Sequence, residues 1–128
     1  MAAELHRSRA SYAYLQVEGW RALGPHERDT LTSWLPGLPV LIRSQGLLVA
    51  LCMLKKDSAH KLASALEDWL LGTPDGAPRL FATQPRGGVI RACAETTRPT
   101  YQAAQREALA LAEMFKLMAD AHGFKRRA

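Results

Sequence analysis

The hydrophobic pattern is strongest over residues 38–71. Leu38-Pro39-Val40-Leu41-Ile42 leads into Leu47-Leu-Val-Ala-Leu-Cys-Met-Leu54, where eight successive residues carry neither a charge nor a hydroxyl. A run of that length suits a buried strand or a buried helix equally well, but its Ala, Leu and Met content favours helix. Pro39 suits a first helical turn, so a helix is expected from Pro39 through Leu54 as the buried central element that the other helices cover. Asp57 or Ser58 can cap a second helix, in which Leu62, Ala65, Leu66 and Trp69 recur at helical spacing and Gly72 ends the run.

On either side of this pair the periodicity is also helical. Over residues 4–22, Leu5, Tyr12 and Leu15 share one side, with Ala13, Val17 and Trp20 beside them. Gly24-Pro25 breaks that helix, and Pro25 starts another, with Glu27 and Asp29 near its positive end and Leu31, Trp34, Leu35 and Leu38 apolar. Pro36-Gly37-Leu38-Pro39 forces a bend before the central helix. Thr73-Pro74-Asp75-Gly76-Ala77-Pro78 reads as a loop with a tight turn. Beyond it Val89, Ile90, Cys93 and Ala94 fit one side of a short helix starting near Gly88. The last helix, residues 99–122, opens on Pro99 and stops before Gly123; at 1.5 Å per residue it is about 36 Å long. Its core seam is Tyr101, Ala104, Ala108, Leu111, Phe115 and Met118, widened by Ala110, Met114, Leu117 and Ala121. Opposite lie Arg98, Gln102, Arg106, Glu113, Lys116 and Asp120, with Leu109 the apolar exception. Glu113 with Lys116 and Lys116 with Asp120 stand at ion-pair spacing. The expected fold is all-α: one domain over residues 1–128, an irregular bundle of five to six helices with a basic tail at about 123–128.

Composition narrows the class. With 128 residues, 48% of them apolar and 23% charged, the chain can bury one core without disulfides and is neither disordered nor membrane-spanning. The first residues, with an early acid and no hydrophobic stretch, do not form a secretory signal, so a cytoplasmic protein is expected. Cys52 lies inside the apolar block and reads as a packed, reduced thiol, far in sequence from Cys93.

The net charge of +5 is uneven: +1 over residues 1–24, 0 over 25–71, +1 over 72–97 and +3 over 98–128. Lys125, Arg126 and Arg127 supply the final excess, and such a tail is often a solvated terminus. Arg outnumbers Lys by twelve to five, which favours bidentate contacts to carboxylate or phosphate, although a GC-rich genome, also suggested by twenty-one alanines, gives the same bias.

Catalytic patterns are missing. The four histidines are isolated and the cysteines form no close pair, which argues against a metal. Glu67 and Asp68 are adjacent and point to different sides of a helix, so they are no acid/base pair. There is no nucleophile elbow or P-loop, and Arg86-Gly87-Gly88 is a single, weak candidate for a phosphate-contacting turn. Trp34 and Trp69 fall on apolar sides and read as core. Neither an enzyme nor a cofactor is expected. From the residues alone the chain is a small, mildly basic helical domain.

Taken in order, Arg9-Ala10-Ser11-Tyr12-Ala13 with Val17, Leu38-Pro39 with Ile42 and Gly46-Leu47, Trp69-Leu70, and Tyr101 with Glu107-Ala108-Leu109 and Lys116 resemble a known family, the small all-helical subunit of the type III-B CRISPR (Cmr) RNA-targeting effector complex. Arg9-Ala10-Ser11-Tyr12-Ala13 followed by Val17 is similar to the family's opening helix. Leu38-Pro39, Ile42 and Gly46-Leu47 resemble its Leu-Pro, Ile and Gly-Leu pattern before a buried helix, and Trp69-Leu70 the close of the next. Tyr101, Glu107-Ala108-Leu109 and Lys116 look like its last helix. The chain departs from the pattern at Met114-Phe115, where an aromatic-Leu pair is frequent, and at Gln102, where Arg is frequent. The resemblance implies a noncatalytic subunit in antiviral defence, stacked in two or three copies along the inner filament of a ribonucleoprotein. Its partners would be other Cmr subunits, guide RNA and target RNA, with self-association in the filament and no membrane.

On that reading Arg43, Arg98, Arg106 and Lys116 are candidates for RNA-backbone or subunit contacts; the plain alternative for each is an intramolecular ion pair or a solvated head. Two rival functions remain open. A basic helical DNA-binding regulator would need a recognition helix with Arg, Asn or Gln near its start, whereas the helix after Gly46 begins with Leu and Val. A protein-only adapter would use its charge for solubility.

Overall fold

A computed structural model describes residues 2–81 and 88–122. They form a single all-α domain with seven helices among them: α1 (Ala2–Trp20), α2 (Pro25–Trp34), α3 (Leu38–Gln45), α4 (Leu47–Lys56), α5 (His60–Leu70), α6 (Gly88–Glu95) and α7 (Arg98–Ala121). Helix α7 is the spine. Thr97 caps its start by accepting a hydrogen bond from the Thr100 N–H, and α1, α3, α4 and α5 all pack along it. Ala104, Ala108, Leu111, Ala112, Phe115 and Ala119 of α7 are buried, and the four alanines among them let neighbouring helices approach closely.

The helix count exceeds the expected five to six because the element beginning at Pro39 is two helices. Gly46 sits between α3 and α4 at φ +90° and ψ 161°, a backbone conformation in which a side chain is strained. Its N–H still closes α3 by donating to the Ile42 carbonyl at 2.9 Å. The next two N–H groups, freed by the break, are satisfied from α7: Leu47 donates to Gln105 Oε1 and Leu48 to the Tyr101 hydroxyl, each at 3.1 Å. Side chains of the spine therefore cap α4 and fix the elbow between it and α3.

Burial of the apolar block is one-sided. Leu47, Ala50, Leu51 and Leu54 are fully buried, whereas Val49 and Met53 are 43% and 37% exposed. Helix α4 lies against the spine, α5 and α6 with one face and leaves the other uncovered by any described residue. That geometry overturns the expectation for Cys52, which is exposed, whereas Cys93, on the apolar side of α6, is buried. Leu15 and Leu117, expected on apolar sides, are also exposed, since α1 and α7 meet through Ala13, Val17, Trp20 and Phe115 instead.

Ser58 ends α4 rather than capping α5. It takes φ +64°, and the following Ala59 N–H donates to the Leu54 carbonyl at 2.8 Å. At the other end of α5, Gly72 adopts φ +76° while its N–H donates to Trp69 and that of Thr73 to Asp68, closing the helix in the way a C-terminal glycine permits. Glu67, near this end, pairs with Lys55 at 2.7 Å and ties α5 to α4.

Gly46→Ala is expected to destabilise the domain by about 1–3 kcal/mol in urea unfolding. Its Cβ would stand 3.1 Å from the Tyr101 hydroxyl and 3.3 Å from Gln105 Oε1, in addition to the positive φ. Unchanged stability would show that the elbow is not fixed by these contacts.

The thiols give a second test. Burial, then the nearby Glu67 charge, pushes Cys93 up from 9.0 to about 11, so at pH 8 it holds its proton and is no nucleophile. Iodoacetamide at that pH should label Cys52 alone in the folded chain and both cysteines in denaturant. Between pH 9 and about 11 the unfolded chain releases this proton and the folded chain keeps it. The thiol's contribution to stability therefore falls as pH rises through that window.

Candidate nucleic-acid interface

The exposed side of α7 carries three of the four cations singled out by sequence. Arg98 is the first residue of the helix, and Arg106 and Lys116 follow on the same exposed side. Eighteen residues separate the outer two, about 27 Å of helix. None of the three forms an ion pair with a described residue. Arg43 reaches the same side from α3, and its Nη2 lies 2.9 Å from Glu113 Oε1. Glu113 is thus paired across helices rather than with Lys116, and the pairs expected from spacing along α7 do not form among the described residues. Arg43 meets Glu113 on the side of α7 that, by helical spacing, also carries Arg106 and Lys116, while Arg98 stands at the start of the helix.

Beneath that face lies a polar cluster to which the sequence pattern assigned no role. Glu107 is 8% exposed, on the core side of α7. Its two carboxylate oxygens accept from Arg9 Nε at 2.8 Å and Arg9 Nη2 at 2.9 Å, a bidentate pair from α1. Trp69 Nε1 on α5 donates to the same Oε1 at 2.8 Å. Tyr12 stacks on Trp69 with ring centroids 4.9 Å apart, and its hydroxyl donates to the Ala65 carbonyl at 2.7 Å. No buried side-chain nitrogen or oxygen among the described residues lacks a partner. The signal that could have found this cluster is the position of Glu107 on the helical wheel, within the apolar seam between Ala104 and Leu111, where an acid needs a buried cation.

Two groups beside this cluster are shifted toward holding their protons. Burial raises the Tyr12 hydroxyl, helped by the charge of Asp68; Asp68 itself is raised by burial and by Glu67. An activated nucleophile needs the opposite shift. Of the weaker sequence candidates, Arg86 and Gly87 lie outside the described residues, as does the basic tail at 123–128. No helix among the described residues is long and apolar enough to cross a membrane.

The family model described as CRISPR-associated protein (Cas_Cmr5) matches residues 5–122. The chain belongs to that family. It is therefore a subunit of the type III-B CRISPR Cmr complex, associating with other Cmr subunits. No curated protein and no solved structure gives a significant match. The residues that carry the Cmr5 likeness meet one another in space. Arg9, Trp69 and Glu107 form the buried cluster with Tyr12 beside it, while Gly46-Leu47 meets Tyr101 at the elbow. Of the two departures, Phe115 is fully buried and fills the core against Trp20, whereas Gln102 is exposed on the cationic side.

Arg9→Ala would leave the Glu107 carboxylate buried with Trp69 as its remaining partner, and should cost about 3–5 kcal/mol in urea unfolding. Trp69→Phe removes one donor and should cost less, about 1–3 kcal/mol. Equal, sub-kcal effects of both would mean that the cluster does not hold the helices together.

Proposed function

We propose that this chain is the noncatalytic small subunit of a cytoplasmic type III-B ribonucleoprotein, stacking with further copies along the inner filament and helping to hold the guide–target RNA duplex in antiviral defence. The observation that carries the reading is the row of Arg98, Arg106 and Lys116, exposed and without ion pairs to described residues, on the longest helix of a Cmr-complex subunit. Cations at separate points along one helix suit phosphate contacts that position a strand without reading its sequence. Arg43 joins them at the α3 crossing. The shifts at Tyr12 and Cys93 favour protonated, unreactive groups, in keeping with a binding rather than a catalytic role. The DNA-regulator reading gains nothing, because the start of α4 is occupied: Leu47 is fully buried and its N–H is bound to Gln105.

The test is to tag the protein, purify it from its own cells at moderate salt, and identify what accompanies it. A large complex containing backbone subunits and short RNAs with a common 5′ segment is the expected result; recovery alone or with genomic DNA would overturn the proposal. In the same assay Arg106→Glu with Lys116→Glu should reduce RNA retention with helicity unchanged. The salt slope of binding should fall by about one for each phosphate-binding cation removed.

A further inference from the structure

Glu113 is the acid on the exposed side of α7 that stands between the cations Arg106 and Lys116, seven residues after one and three before the other. On a helix those spacings place all three on one side. A polyanion lying along the proposed face would meet this carboxylate in the middle of its path. The carboxylate is paired with Arg43, which comes from α3 and donates a hydrogen bond to it, Nη2 to Oε1 at 2.9 Å. Both side chains are more than half exposed, 60% and 54%, so the pair belongs to the weakest class of ion pair. Among the described residues one donor of the guanidinium is engaged, where a phosphate or carboxylate can take two in a fork.

We propose that Glu113 is an intramolecular stand-in for phosphate: it holds Arg43 in reserve at the α3–α7 crossing, and an RNA backbone laid along α7 displaces it. The inference rests on the RNA-backbone reading of α7. A surface pair of this kind is readily exchanged, since the incoming phosphate offers the forked geometry that Glu113 does not use, and releases condensed counterions as it binds. Arg43 is then a contact that forms on binding, and Glu113 tunes affinity without touching the ligand productively.

The competing explanation is plain repulsion, with Arg43 serving only to neutralise Glu113. The two differ in a double-mutant cycle. The full-length chain and its Glu113→Gln, Arg43→Gln, doubly substituted and Arg106→Glu/Lys116→Glu variants are titrated against a fluorescein-labelled 24-nucleotide single-stranded RNA by anisotropy, at several salt concentrations. Circular dichroism melting checks that each folds. Glu113→Gln should tighten binding about three- to tenfold and steepen the salt slope by about 0.7, the increment for one extra cation on a single strand. In the Arg43→Gln background the same substitution should gain less than about twofold. An equal or larger gain there overturns the proposal, because unneutralised repulsion would grow when Arg43 is gone. Weakening by Arg106→Glu/Lys116→Glu with no gain from Glu113→Gln removes the displacement model and leaves the RNA-backbone reading. A gain that depends on Arg43, with Arg106→Glu/Lys116→Glu unaffected, removes the RNA-backbone reading of α7 and, with it, displacement along that helix. Absence of binding by every variant removes both.

Discussion

A carboxylate 8% exposed inside a helical core costs several kcal/mol unless charge and hydrogen bonds compensate it, and the rest of the domain depends on how Glu107 is compensated. The cluster draws on three helices: the acid from α7, and its partners, the fork of Arg9 from α1 and the indole N–H of Trp69 from α5. No one helix can satisfy it. An apolar seam alone would let α1 slide along α7 by a turn at little loss, because Ala104, Ala108 and Ala112 present similar small surfaces. The bidentate pair has one register, so it sets the position of α1 on the spine, and Tyr12, stacked on Trp69 and bonded to Ala65, carries that register to α5.

The same spine solves the second polar difficulty of the fold. Breaking the chain at Gly46 exposes the first N–H groups of α4, and α7 answers with Gln105 and Tyr101. Glu107 follows Gln105 by two positions and Tyr101 precedes it by four, so one stretch of α7 caps α4 while its opposite edge binds α1 and α5. That concentration of duties has a consequence for charge. Arg9 is committed inside to Glu107 and Lys55 to Glu67, whereas Arg98, Arg106 and Lys116 have no such obligation to a described residue. Of the two acids on the outer face of α7, Glu113 is taken up by α3 and Asp120 lies near the end of the helix, while Glu107 is turned inward to hold helices together, so the stretch from Arg98 to Arg106 carries cations without an acid beside them.

The all-α class and the positions of α1, α2, α5, α6 and α7 were legible from periodicity and from Pro and Gly punctuation, because amphipathic spacing and backbone exceptions are local properties. The elbow at Gly46 was not, since helical spacing continues on both sides of that glycine and gives no sign that side chains more than fifty residues away will cap the break. The extent of burial on α4 was hidden for a related reason: hydrophobicity says that a face can be buried, while the neighbours that pack on it decide whether it is, and no described residue covers Val49, Cys52 and Met53. The candidate site was legible as a set of cations on one wheel. Pairing was not, because Glu113 had a partner at the right spacing in its own helix and took Arg43 from another.

What distinguishes Arg9 from Arg43 is therefore not residue type but solvent. Both are arginines held to a glutamate of α7 at 2.8–2.9 Å. Around Arg9, whose side chain is 13% exposed, water cannot replace the carboxylate, and separation would strand two charges. Around Arg43, at 60% exposure, water and salt screen the pair and either partner can leave at small cost. One contact of this chemistry can thus be a fixed joint and the other an exchangeable one within a few turns of the same helix. Only the exchangeable one is available to a partner with phosphates to offer.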